Sequence, residues 1–222
     1  MSQASANGNA LVRATVRLPP SLIWNADIVT ERAVQLSGAV TLTVGGLTLA
    51  GTVYRGEVYQ GSAAYRIEGG RGGWRLPVRA RTHQDDSGVR LSRVLASVLS
   101  DMPEANRETL TVPAEADRIL GTTWLRSAGL ARVSLGLLRV PWYVRNDGST
   151  FAGARPSGAV VDAQAEVLHY DPEHRRVIVG TEKPEAWAPG LTFTSTRLAS
   201  PILLREVTIR VEKGKMRVEV TG

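Results

Sequence analysis

The stretch that decides the fold is Ala39-Val-Thr-Leu-Thr-Val44, followed by Gly45-Gly46 and Leu47-Thr-Leu-Ala-Gly-Thr-Val-Tyr54. Apolar and hydroxyl side chains alternate in both arms, the period of a strand with one buried face. The paired glycines supply the turn, so the segment predicts a β-hairpin. Upstream, Leu11-Val-Arg-Ala-Thr-Val-Arg-Leu18 alternates in the same way and stops at Pro19-Pro20, where a ladder cannot continue. Downstream, Gly56-Glu-Val-Tyr59 breaks at Gln60-Gly61. Ala63–Ile67 reads as another strand, and after Gly69-Gly-Arg-Gly-Gly73 the stretch Trp74–Arg79 reads as one more. Short strands at this spacing fit a small antiparallel barrel.

Past residue 82 the period changes. Val89, Leu91, Val94, Leu95, Val98, Leu99 and Met102 recur at helical spacing, with Asp85-Asp86 in front as caps and Pro103 behind, which predicts a helix starting at Asp86 or Ser87. Shorter helices are expected at Ala114–Leu120 and Ser127–Leu138, the second weakened by Gly129 and Gly136. Asn146-Asp-Gly148 between alternating arms predicts a hairpin with Trp142 and Val144 on one side. Strands return at Val160–His169 and Val177–Gly180, and Glu182–Gly190 reads as a loop. Ile202–Glu212 and Met216–Thr221 form a closing hairpin, Met216, Val218 and Val220 alternating with Arg217, Glu219 and Thr221. No repeat of solenoid or propeller period is present.

The expected fold class is therefore mainly β with a smaller α+β insertion, as two small antiparallel β-barrel-like domains. The expected division is a flexible tail over 1–10, a barrel-like domain over 11–82, an α+β region over 83–155 and a second barrel-like domain over 156–222. The 222 residues, 43% hydrophobic and 22% charged, suit a folded chain with a real core. With no cysteine, disulfides, thiolate metal sites and a cysteine nucleophile are excluded. The longest apolar runs, such as Val133–Val140, fall well short of the roughly 20 residues that span a bilayer. The first ten residues are small and polar, without the basic start and apolar stretch of a secretory signal.

The formal charge of +6 raises an acidic partner such as nucleic acid, for which clustering is the criterion. Arg13, Arg17, Arg32, Arg55 and Arg66 are scattered. The denser groups Arg71/Arg75/Arg79/Arg81 and Lys213/Lys215/Arg217 lie among strand residues with acids nearby, which favours a solvated or interface face. The three histidines, His83, His169 and His174, are isolated from one another. No G-x-S-x-G elbow is present, and Ser62 and Ser149 sit in turns. His169-Tyr-Asp171 with Glu173-His174 reads as a polar hairpin tip rather than a metal site. The amides of Gly69–Gly73 have the makings of an anion cradle, but a strand rather than a helix is expected after them, so a turn is the better reading. Trp24, Trp74, Trp124, Trp142 and Trp187, with Tyr54, Tyr59, Tyr65, Tyr143 and Tyr170, are dispersed and suit core or subunit contacts more than a sugar or base platform. No catalytic, cofactor-binding or metal residue is assigned, and a non-enzymatic protein is expected. Exposed strand edges make assembly with other chains the natural use.

The order of these features resembles the hub proteins of bacteriophage tails and baseplates, the late control protein D-like family. Three pieces carry the resemblance: Val40–Tyr59, similar to the hairpin-rich first barrel of such hubs; the helix after Arg81-Thr-His-Gln-Asp-Asp86, similar to the start of their inserted α+β region; and Pro141-Trp-Tyr-Val-Arg-Asn-Asp-Gly-Ser-Thr-Phe-Ala-Gly153. The resemblance implies a homotrimer whose two barrel-like domains per chain form a pseudo-sixfold ring. It implies partners in the tail tube or distal tail protein, a central spike or fibre and the tape-measure protein, DNA passing through the lumen, and a place in the virion at the tail tip or baseplate after assembly in the host cytoplasm. It implies no cofactor and no individual functional residue. The readings set against it are a receptor- or carbohydrate-binding module of a phage tail, suggested by the aromatics, and a tail-associated peptidoglycan hydrolase.

Overall fold

The alternation around Gly45-Gly46 is realised as one side of a closed barrel. The computed structural model describes residues 4–212 and 214–222. Its first six strands are β1 (Ala4–Ala6), β2 (Asn9–Leu18), β3 (Asn25–Thr30), β4 (Ala39–Val44), β5 (Leu47–Tyr59) and β6 (Ser62–Gly69). Val40, Leu42, Val44, Leu47 and Leu49 all point into the core, joined by Ala26, Ile28 and Ile67. The strands pair antiparallel in the order β1-β4-β5-β6-β3-β2, and β1 pairs back onto β2 through Ser5↔Ala10 and Ala6↔Asn9, closing the ring. Residues 4–10 are thus not a flexible tail. Asn7 and Gly8, at φ 48° and 79°, make the two-residue turn that Asn-Gly favours. Asn7 also holds β4, its Oδ1 accepting from the Thr41 N–H at 2.8 Å. The first three residues of the expected tail lie outside the described residues.

The middle of the chain contains β7 (Pro77–Val78), β8 (Arg81–Gln84), α1 (Leu91–Ser100), β9 (Leu110–Thr111), β10 (Thr123–Arg126), β11 (Gly129–Leu130), β12 (Trp142–Val144) and β13 (Thr150–Ala152). α1 buries Leu91, Val94, Leu95 and Val98 at helical spacing. Together with Trp74, Val78, Leu135 and Leu138, residues of this face form a second hydrophobic cluster. Several expectations are corrected here. The helix starts at Leu91, because Gly88 at φ 93° is incompatible with a right-handed helix and Val89 pairs with residues 120–121. Asp85 does not cap it: its carboxylate binds the Ser87 N–H and Arg93. Asp117 instead accepts the Ser92 N–H at 2.9 Å at the helix start. Only Ala114–Ala116 winds into a 3-10 turn, and 127–138 becomes β11 followed by the 3-10 segment Ala131–Leu138. Trp74–Arg79 is a 3-10 turn, Gly73–Arg75, followed by the two residues of β7. The 146–148 hairpin forms with Gly148 at φ 83°, but Trp142 packs on the second cluster while Val144 belongs to the first.

The last part consists of β14 (Gly158–Ala159), β15 (Glu166–Asp171), β16 (Arg176–Gly180), β17 (Leu191–Phe193), β18 (Ile202–Leu203), β19 (Glu206–Glu212) and β20 (Lys215–Thr221). The expected closing hairpin is β19 and β20, with Met216, Val218 and Val220 buried. Its turn residue Lys213 lies outside the described residues. β19 pairs with β2, so the barrel sheet continues as β2-β19-β20-β16-β15, and β14, β17 and β18 form a small separate sheet. The chain is mainly β, with the α+β part between its two strand-rich segments. Where the first barrel closes on itself, the C-terminal strands extend its sheet and share its core: Trp187, 4.7 Å from the Phe193 ring, lies in the same cluster as Leu42 and Val16.

The Gly-rich loop fastens the middle segment to the barrel. Gly70 and Gly72, at φ 88° and 84°, turn successive amides inward, and the buried Glu108 accepts from the Arg71 N–H at 3.0 Å and the Gly73 N–H at 2.8 Å. Burial pushes the Glu108 carboxyl up, against the pull of these backbone donors. The cradle read from the glycines therefore exists, filled by the chain's own carboxylate. Trp74 adds a bond from its indole N–H to Thr150 Oγ1 at 2.8 Å. Glu108→Ala leaves buried donors without acceptors and is expected to lower stability by about 2 kcal/mol or more, measured by urea unfolding.

Candidate assembly surface

β5 is longer than its neighbour on one side. β4 covers it only from Leu47 to Thr52, whereas β6 pairs with it as far as Tyr59. Beyond Val53, whose N–H reaches Gly38 O, the outer edge has no strand beside it among the described residues, and alternate backbone groups point outward as antiparallel pairing requires. Residues 54–59 are all exposed, among them Tyr54, Val58 and Tyr59. The ribbon is nonetheless well fixed. Tyr54 sits at the register shift between Val53 and Arg55, with the Arg75 guanidinium 3.3 Å from its ring centroid, and Arg75 pairs with Glu68. A Cβ at Gly56 would lie 2.0 Å from the Tyr65 ring, so only glycine lets Tyr65 reach under the ribbon to donate its hydroxyl to Val34 O. The other free edge of the sheet, β15, is irregular between Val167 and His169, which blunts it for pairing.

The outer face of the sheet gathers charges that the sequence scatters. The registers place Arg55, Arg66, Asp27, Thr15, Arg210 and Arg217 side by side across six strands. Arg17 and Arg66 both bind Asp27, at 2.7 and 2.9 Å, and hold its carboxyl below the ordinary value although burial raises it. Arg176 and Arg210 share Glu219. Such half-exposed pairs are worth little individually. They leave a mixed face with arginine in excess, suited to contact with a polar or acidic surface.

The residues weighed for chemistry are spread through the molecule. His83 is buried on β8, its Nε2 3.3 Å from Ser97 Oγ, a proximity that no motif announced. The Ser97 hydroxyl donates to Val94 O, and Arg126 donates to Ser97 Oγ at 3.1 Å. Asp101 pairs with Arg126 and Arg81 rather than with the imidazole. His174 binds Asp171 at the β15–β16 tip, His169 lies on β15, and Ser149 donates to Asp147 within its turn. Among the described residues no three His, Asp or Glu side chains converge as a metal site would need. Of the tryptophans, Trp24, Trp74 and Trp187 are fully buried, so they offer no binding face.

No family model matches the sequence, and no curated protein matches it. Solved structures do. A component of the Escherichia coli type VI secretion system, itself described as structurally similar to the T4 bacteriophage tail proteins gp27 and gp5, superposes with a TM-score of 0.66 at 10% identity over 98% of this chain and 75% of that one. This chain has a tail-protein fold. A tail protein from Neisseria meningitidis MC58 gives a TM-score of 0.63 at 13% identity, covering 99% of this chain and 95% of the other. The 43 kDa tail protein of prophage MuSo2 from Shewanella oneidensis gives 0.59 at 8% identity, covering 98% and 96%. At these identities the likeness is one of fold.

Two outcomes test the interior of this region. Asp101 and Arg126 have side chains only 4% and 3% exposed, so Asp101→Asn, which strands the arginine, is expected to cost about 3 kcal/mol or more in urea unfolding. His83 is held below its ordinary value of 6.5 by burial and by the Arg126, Arg93 and Arg81 charges. Folding then favours the neutral ring, so its contribution is full above 6.5 and is lost as pH falls through that value towards the folded one. Melting curves across this range are expected to show a drop that His83→Gln removes.

Proposed function

We propose that the chain is a structural component of a phage-type tail, and within it a hub that assembles as a homotrimeric ring joining the tail tube to a distal spike or fibre. The observation that supports this most is the likeness to tail proteins over nearly the whole chain, with two of them covered almost completely in return. The free, rigidly held edge of β5 adds a surface of the kind that pairs with another chain. In this reading residues 11–82 and 156–222 form the ring and 83–155 are an insertion between them. The protein is placed at the tail tip of the virion, and the arginine-rich outer sheet face meets another subunit or the lumen. It works by contact rather than by chemistry.

Sedimentation velocity of the full chain, alone and with the cognate tail-tube protein, tests the proposal. A trimer, or a complex with tube protein, is expected, and Val58→Asp on the ribbon is expected to weaken it at least tenfold with the melting temperature unchanged. A chain that stays monomeric at all concentrations and ignores tube protein overturns the proposal.

A further inference from the structure

One groove combines an apolar wall with positive charge that has no counterpart among the described residues. It is bounded by Pro20, Pro141, Arg155, Leu203 and Arg205, with a volume of about 420 Å³, and no acidic residue lines it. Arg155 is built into its wall: the guanidinium stacks 4.2 Å from the Tyr143 ring centroid, and Nε donates to Pro20 O at 3.2 Å. Nη2 is buried without a partner. Burial draws the group down to about 10, so it stays charged at neutral pH while lacking an anion. Arg205 is exposed on the same groove. Leu203 is 51% exposed, and next to the groove's Ser21 stands Leu22, 54% exposed and at φ 79°. A leucine is disfavoured in the left-handed region, and here two backbone bonds to β12 keep it there, Leu22 N–H to Trp142 O and Val144 N–H to Leu22 O.

We propose that this groove receives an acidic, aliphatic segment of another chain in the assembly, its carboxylate bound by Arg155 and Arg205 and its apolar neighbour packed on Leu203. The complementarity argument is direct. A half-buried guanidinium without an acid gains most from a carboxylate brought in together with apolar cover, which also shields the pair from water. The origin of the segment rests on the assembly role proposed above, whereas its chemistry rests on the groove alone.

The test uses the full chain and two probes, acetyl-Leu-Glu-Leu-amide and acetyl-Leu-Gln-Leu-amide, titrated while the tryptophan indole signals are followed by NMR. The glutamate peptide is expected to bind about tenfold or more tightly than the glutamine peptide, with a preference that falls as salt is raised. Arg205→Glu, at an exposed position, is expected to abolish the preference, as is Arg155→Met where melting shows it folded. Equal affinities, no binding of the glutamate peptide, or an unchanged preference in Arg205→Glu overturn the proposal. A chain that forms rings yet shows no preference sinks the groove and leaves the hub standing, while a monomer that prefers the glutamate peptide does the reverse. If Arg205→Glu also breaks up the homo-oligomer, the segment comes from a second copy; if the oligomer persists, it comes from a different protein. Either result, with the peptide preference present, supports the groove.

Discussion

Strand β2 has to satisfy hydrogen-bonding groups on both of its edges, and the architecture follows from how it does so. One edge is taken by β3. The other is divided between β1, at Asn9 and Ala10, and β19, from Arg13 to Leu18. The first share closes a six-strand barrel and the second attaches the C-terminal strands. Because those strands continue the same pleat, their inward residues fall on the barrel's side, which is why Val207, Ile209 and Val218 join one core with Val16 and Ile28.

The segment between the strand-rich parts is held by polar bonds at its margins and by its own apolar cluster. Glu108 in the amides of the Gly-rich loop and Asp101 between two arginines are both buried carboxylates, and each is surrounded by donors that only the fold assembles. Such networks are costly when incomplete, so the Glu108 network specifies one docking of the segment on the barrel and the Asp101 network, made within the segment, one internal packing of it. Rigidity at the base lets the β5 ribbon stand out with a free edge and still keep its shape.

Much of the barrel was legible in the sequence because period-2 alternation and Gly-containing turns are local signals. The 39–54 hairpin, the Asn146–Gly148 turn and the closing hairpin all follow from them. The same rule applied to Asn7-Gly8 identifies the barrel-closing turn, but the few small residues before it, Ala4-Ser-Ala6, carry no apolar pattern strong enough to mark a strand. Helix limits failed for a non-local reason: Val89 has helical spacing, yet its backbone is claimed by residues 120–121. The surface was the least legible part. Arg55 and Arg217 are far apart in sequence and become members of one row only through five successive strand registers, and the Arg155 groove is assembled from five separate stretches of the chain.

The pairing of Arg13 with Glu212 also bears on how the molecule is made. These partners are separated by almost the whole chain, so the ladder that completes β2 cannot form until the far strands have been synthesised. Contacts of such sequence separation slow folding, because the loop entropy is lost before the contacts form. Until then the emerging barrel carries an open, apolar-backed edge that other nascent chains can pair with. The Asn7-Gly8 hairpin covers the start of that edge from the moment the first strands exist, a local guard against early association.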